Sequence, residues 1–134
     1  EVREKRGLVY AIVSYMLSYT AGGAFTIYGG TGPKTWGQVQ DVVRTELDKM
    51  MSEGPSADEV AKVQRQIAGN MVLGLESTSA RMQRMAKNEL VYGRQIPVEE
   101  TVAKINAVTR DQVQGLAQRL FDPAQMRTTA IGPA

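Results

Sequence analysis

Arg3 and Tyr10 stand seven positions apart in the opening stretch EVREKRGLVYAI, with Gly7 between them. An arginine fork donates hydrogen bonds to peptide carbonyls, and a tyrosine hydroxyl can donate to an oxyanion, so the two together suit gripping a peptide at a reacting carbonyl. Lys5 and Arg6 followed by glycine are what a helix C-terminus favours. Arg3 then falls at the end of a helix and Tyr10 just inside the next strand, with the bend at Gly7 letting both reach one surface. On spacing alone the plainer description is a solvated arginine at a helix end and a tyrosine filling a sheet.

Other chemistries are excluded by residue type. The 134 residues contain no histidine and no cysteine, the side chains from which zinc sites are mainly built, so no self-contained zinc centre is expected. Ser-His-Asp and Cys-His catalysis fall for the same reason. Glu99 and Glu100 are adjacent, point in different directions on a helix, and read as solvated surface. The segment YGGTGPKT, residues 28 to 35, runs from a strand through glycines to Lys-Thr but departs from a phosphate loop. Pro33 stands where that loop needs a glycine before the lysine, and it removes an N–H donor.

The elements that would position Arg3 and Tyr10 can be read along the chain. The run LVYAIVSYMLSY, from Leu8 to Tyr19, is rich in β-branched and aromatic residues with little alternation, as expected of a strand covered on both faces. Gly22 and Gly23 mark a turn, and AFTIYGGT, from Ala24 to Thr31, reads as the antiparallel return strand. Trp36, Val39, Val43, Leu47 and Met50 follow helical spacing. Gly54 and Pro55 end that helix, and Ser56 with Glu59 forms a capping box for the next, whose inward stripe is Val60, Val63, Ile67, Met71 and Leu75.

The stretch GLESTSAR predicts a break at residues 74 to 81, after which helix resumes through Met82, Met85, Ala86 and Leu90 and closes at Gly93. Pro97 opens a short helix with Val98, Val102 and Ile105 inward. Thr109 and Gln112 offer a second capping box for a last helix through Val113, Leu116 and Leu120, stopped by Asp122 and Pro123. MRTTAIG, from Met126 to Gly132, alternates as a third strand would. Strands, then helices, then a returning strand predict an α+β fold with helices packed on one face of a mostly antiparallel sheet, a single domain over residues 1–134 and incomplete at its N-terminus. The 16 basic residues are interleaved with 14 acidic ones, giving a formal charge of +2, so a nucleic-acid partner is not expected. No run approaches the roughly 20 apolar residues of a membrane span.

In order along the chain, EVREKRGLVYAI, AFTIYGGT, LGLESTSARMQRMAKNEL, INAVTRDQVQGLAQRLF and AIGP are similar to the C-terminal half of the insulinase, or pitrilysin-type, zinc metallopeptidases. The likeness is strongest to bacterial members that resemble mitochondrial processing peptidase. It implies most of the second, inactive-half domain of a two-domain peptidase subunit, lacking its first strands and nearly all of the helix that ends at Arg3. In that family the zinc site, His-x-x-Glu-His plus a downstream Glu, lies on the N-terminal domain. A chain without histidine is not that domain, so the resemblance implies zinc in the complete enzyme and none on this part, which alone should cleave nothing.

The resemblance further implies that Tyr10 hydrogen-bonds the scissile carbonyl oxygen as it becomes an oxyanion, while Arg3 holds substrate backbone. The implied partners are a peptide substrate, the zinc-bearing N-terminal domain, and a second peptidase subunit in a homo- or heterodimer. The alternative is a non-catalytic structural or partner subunit of the same fold. A third reading is an α+β interaction domain with no peptide role, in which Arg3 and Tyr10 would point apart.

Overall fold

The run after Gly7 folds back on itself: β1 (Ala11–Tyr19) pairs antiparallel with β2 (Gly22–Gly30). The computed structural model describes residues 7–132, and the hairpin is followed there by α1 (Trp36–Ser52), α2 (Ala57–Gly74), α3 (Thr78–Tyr92), α4 (Val98–Asn106) and α5 (Arg110–Leu120). This is the α+β arrangement the sequence predicts. The chain divides into two compact units, one comprising the residues up to Gly54 with those from Gln114 onward, the other Pro55–Val113.

In the first unit Tyr19 lies opposite Gly22, so the hairpin loop is Thr20–Ala21 and the two glycines expected to turn the chain belong to β2. The reason is close approach: a Cβ on Gly23 would come within 2.7 Å of the Leu17 carbonyl oxygen. Alternation along the strands places Ile12, Met16, Phe25 and Ile27 on one face. Ile12 packs with Leu8 and Val43 against the buried cluster Val9, Val39 and Val42, which joins the hairpin to α1. Phe25 meets Phe121 with ring centroids 5.2 Å apart and planes tilted by 56°.

The opposite face, carrying Val13, Tyr15, Leu17, Tyr19 and Tyr28, is exposed. The expectation of a strand covered on both faces is therefore corrected: on the first face Ile12 and Ile27 are half-buried while Met16 and Phe25 stay exposed, so only part of one face is sheltered among the described residues. The expected third strand is also corrected, because residues 126–132 form no strand and Ile131 is fully exposed. Alternation sorts side chains between faces, but a strand exists only where a neighbour offers free N–H and C=O groups.

Helix ends in this unit are closed by side chains. Gln114 Nε2 donates to the carbonyls of Met51 (3.1 Å) and Ser52 (2.8 Å), and Gln118 Nε2 donates to Met51 (2.9 Å). These carbonyls belong to the last turn of α1, which lacks intrahelical donors. After α5, Asp122 Oδ1 accepts from the Ala124 N–H at 2.9 Å, building the turn that stops the helix.

In the second unit the capping box before α2 forms as expected. The Glu59 N–H donates to Ser56 Oγ at 3.2 Å, and the Ser56 N–H donates to Glu59 Oε2 at 2.8 Å. These bonds to Ser56 hold the Glu59 carboxyl below its usual range, the backbone donor contributing most. The predicted break falls between Gly74 and Thr78, with Ser77 Oγ accepting from the Ala80 N–H to start α3, and α3 ends at Gly93. Thr109 and Gln112 exchange the second box, Thr109 N–H to Gln112 Oε1 at 2.9 Å and Gln112 N–H to Thr109 Oγ1 at 3.3 Å.

The inward stripe of α2 is corrected. Val63 and Ile67 are exposed, whereas Val60, Gln64, Ala68, Met71 and Leu75 are half-buried. Gln64 Nε2 reaches the carbonyls of Ile105 (3.1 Å), Asn106 (3.1 Å) and Val108 (2.9 Å), closing the C-terminal end of α4. On α3 the sheltered positions are Ala80, Arg84 and Asn88, while Met82, Met85 and Leu90 face solvent. Arg84 Nη2 donates to the Ile96 carbonyl (3.0 Å) and to Thr101 Oγ1 (3.1 Å). Unpaired carbonyls need donors, and meeting that need rotates the polar residues inward.

Two outcomes are expected. Ser56→Ala removes half the capping box and lowers stability by about 1 kcal/mol, measured by urea unfolding. At the surface of the second unit Arg94 clamps Glu100 with both guanidinium nitrogens (2.9 and 2.7 Å) and Lys104 adds a third bond at 2.9 Å. The Arg94 bonds, then the Lys104 bond, hold the Glu100 carboxyl at about 2 instead of 4.5. A carboxyl depressed on folding contributes stability that is fully present above its unfolded value and is lost as pH falls toward its folded one. Thermal midpoints followed from about pH 5 down to about pH 2 should therefore fall less steeply in Glu100→Gln than in the parent.

Candidate functional site

The segment Gly7–Tyr10 enters β1 with each residue held differently. Gly7 takes a left-handed φ of 61°, and a Cβ there would meet nothing within 4 Å, so backbone conformation alone calls for glycine. The Leu8 carbonyl accepts from Thr31 Oγ1 at 2.6 Å. Val9 is buried in the cluster with Val39 and Val42. The Tyr10 N–H donates to the Gly30 carbonyl at 3.0 Å, extending the hairpin ladder by one bond.

The Tyr10 side chain itself is 87% exposed. A phenol is thus carried on a backbone fixed by a ladder bond, a buried neighbour and a hydroxyl clamp, with its O–H free to meet a ligand. Arg3, the expected companion of Tyr10, lies outside the described residues. Beside the segment, Leu8, Gln38, Asp41 and Val42 line an open depression of about 420 Å³.

The connection from β2 to α1 holds Thr31, which the sequence marks as the end of the return strand, and Thr35, which it marks within a failed phosphate loop. Thr35 Oγ1 lies 2.7 Å from Thr31 Oγ1 and 3.0 Å from the Gly32 carbonyl oxygen, two acceptors within reach of its one hydrogen. No sequence signal identifies them, because the atom Thr31 holds is 23 residues away in the chain.

Among the described residues nothing fits a zinc ion. The chain has no histidine or cysteine, and among the described residues no three carboxylates gather where they could hold a metal. No described helix is long and apolar enough to cross a membrane.

A family model described as the peptidase M16 inactive domain matches residues 1–67, half of the chain, and the chain belongs to that family. It is 41% identical over 133 residues to an uncharacterized zinc protease of Streptomyces coelicolor, covering 99% of this chain and 29% of that protein. It is 38% identical over 121 residues to one of Bacillus subtilis, covering 90% of this chain and 30% of the relative. A third, from Mycobacterium tuberculosis, is 33% identical over 133 residues, covering 99% and 30% respectively. The chain therefore spans about 30% of the length of the curated relatives it matches. The family likeness read from the ordered motifs is the one these matches show.

Because open space surrounds the missing Cβ of Gly7, substitution there should report backbone strain alone. Gly7→Ala is expected to lower stability by about 1–2 kcal/mol in urea unfolding. Gly7→Asn should cost less, since asparagine tolerates the left-handed region.

Proposed function

We propose that this chain is most of the C-terminal, inactive domain of a zinc metalloendopeptidase subunit that cleaves peptides or presequences, and that its task is to hold the substrate at the bond to be cut. The single observation that carries this reading is the presentation of Tyr10, a solvent-facing hydroxyl on an immobilised backbone, within the segment the family model matches. A phenol placed there donates a hydrogen bond to a carbonyl oxygen as negative charge grows on it. Arg3, seven residues earlier, supplies a fork of donors for the carbonyls of an extended peptide.

Neither residue supplies a nucleophile, and no group among the described residues fits a metal. On this reading zinc and its ligands belong to a separate N-terminal domain, on the same polypeptide or on a second subunit of a homo- or heterodimer. The 134 residues act as one domain facing that centre. The hydroxyl clamp and ladder bond that hold the Tyr10 backbone favour this reading over a structural or partner subunit of the same fold.

The test is steady-state kinetics of the complete zinc-loaded peptidase on a fluorogenic peptide. Tyr10→Phe is expected to lower kcat by about 10²–10³-fold with KM little changed, the pattern for a donor used only in the transition state. Arg3→Ala should reduce kcat in the same direction. The 134-residue chain alone should hydrolyse nothing. Full activity in the Tyr10→Phe, Arg3→Ala double variant would replace the reading with that of a structural subunit.

A further inference from the structure

We infer that Thr31 is a positioning residue for Tyr10: its hydroxyl fixes the strand entry that carries the phenol, and Thr35 orients that hydroxyl. The inference rests on the role proposed for Tyr10 and goes beyond it by naming what holds that residue in place. The argument is one of proton counting. Thr31 Oγ1 has a single hydrogen, and it goes to the Leu8 carbonyl at 2.6 Å. In the contact with Thr35 Oγ1 at 2.7 Å, Thr31 must therefore accept. Thr35 gives its own hydrogen to Thr31, with the Gly32 carbonyl at 3.0 Å as its competing acceptor. The order is Thr35 O–H to Thr31 O–H to Leu8 C=O, a chain in which each bond polarises the next.

A second observation shows that this arrangement is maintained against a local preference. Thr35 occupies the N-cap position of α1, where a threonine hydroxyl ordinarily accepts from a backbone N–H of the first turn. Here it makes no such bond. The hydroxyl is turned away from the helix and toward Thr31, so the start of α1 forgoes a cap while the strand entry gains a clamp. Departures of this kind from local rules concentrate at functional sites.

The clamp and the phenol are close along the backbone. Leu8 is two residues from Tyr10, and between them Val9 is locked into the cluster with Val39 and Val42. With the Tyr10 N–H tied to Gly30, freeing the Leu8 carbonyl lets the stretch from Gly7 move while the ladder beyond Ala11 stays intact. A displacement of about 1 Å at a catalytic group can cost up to about 10²-fold in rate.

The experiment compares Thr31→Val, Thr31→Ser, Thr35→Val and Tyr10→Phe in the complete zinc-loaded peptidase, reading amide hydrogen exchange over residues 7–12 alongside kcat and KM. Thr31→Val should speed exchange of that segment and lower kcat about tenfold with KM within about twofold. Thr31→Ser, which keeps the hydroxyl, should restore both. Added to Tyr10→Phe, Thr31→Val should lower kcat no further, because it acts through the phenol. Thr35→Val leaves the Leu8 bond in place and should speed exchange by less, without affecting the first turn of α1. That variant keeps the inference testable if Thr31→Val fails to fold.

Unchanged exchange over residues 7–12 in Thr31→Val, or in Thr35→Val where Thr31→Val does not fold, would overturn the positioning role. So would a Thr31→Ser enzyme as impaired as Thr31→Val, or an undiminished Thr31→Val effect on top of Tyr10→Phe. A normal kcat in Tyr10→Phe would instead overturn the reading of Tyr10, and with it the catalytic purpose of the clamp, whatever exchange shows.

Discussion

Carbonyl oxygens at helix ends must find donors, and in this chain the donors are long polar side chains reaching from other helices. Gln114 and Gln118 close the end of α1 within the first unit, and Gln64 closes the end of α4 within the second. The buried apolar side chains Val9, Val39, Val42 and Ala117 are small, so burial alone offers modest cohesion. A directed hydrogen bond contributes about 1 kcal/mol net, but leaving a sheltered carbonyl unpaired costs more than making the bond gains. That asymmetry dictates which face of each helix turns inward.

The candidate site obeys the same logic on a smaller scale. The backbone from Gly7 to Tyr10 is irregular, and its polar groups cannot be satisfied within a helix or by the hairpin alone. One carbonyl is taken by Thr31 and one N–H by Gly30. The Tyr10 side chain stays exposed beside them. Rigidity of the backbone with exposure of the phenol is the combination a preorganised donor needs, since a donor fixed in advance requires little reorganisation when charge develops.

Features set by a few consecutive residues were legible in the sequence. The boxes at Ser56 and Thr109, the break after Gly74 and the stop at Asp122 all depend on neighbours within one turn. Tyr10 is marked in the sequence by its type and its seven-residue spacing from Arg3, and the structure adds only how its backbone is held and that its side chain is exposed. The hairpin loop was displaced because Gly23 serves contact with the Leu17 carbonyl, a demand from across the sheet. The buried stripe of α2 departs from hydrophobic spacing because Gln64 answers carbonyls more than forty residues away. The role of Thr31 has no local sequence signal for the same reason. Hydrophobic periodicity records where water is excluded, and it is silent about which polar group must turn inward to meet a distant partner.

The glutamine clamps also make the molecule sensitive to slow chemical ageing. Hydrolysis of the Gln114 amide to a carboxylate would exchange a two-hydrogen donor for a group that only accepts. It would also set a negative charge against the Met51 and Ser52 carbonyls, at the end of a helix whose dipole is already negative there. A change of one mass unit at a single side chain would thus turn an attachment into a repulsion, with no alteration in the size or shape of the residue.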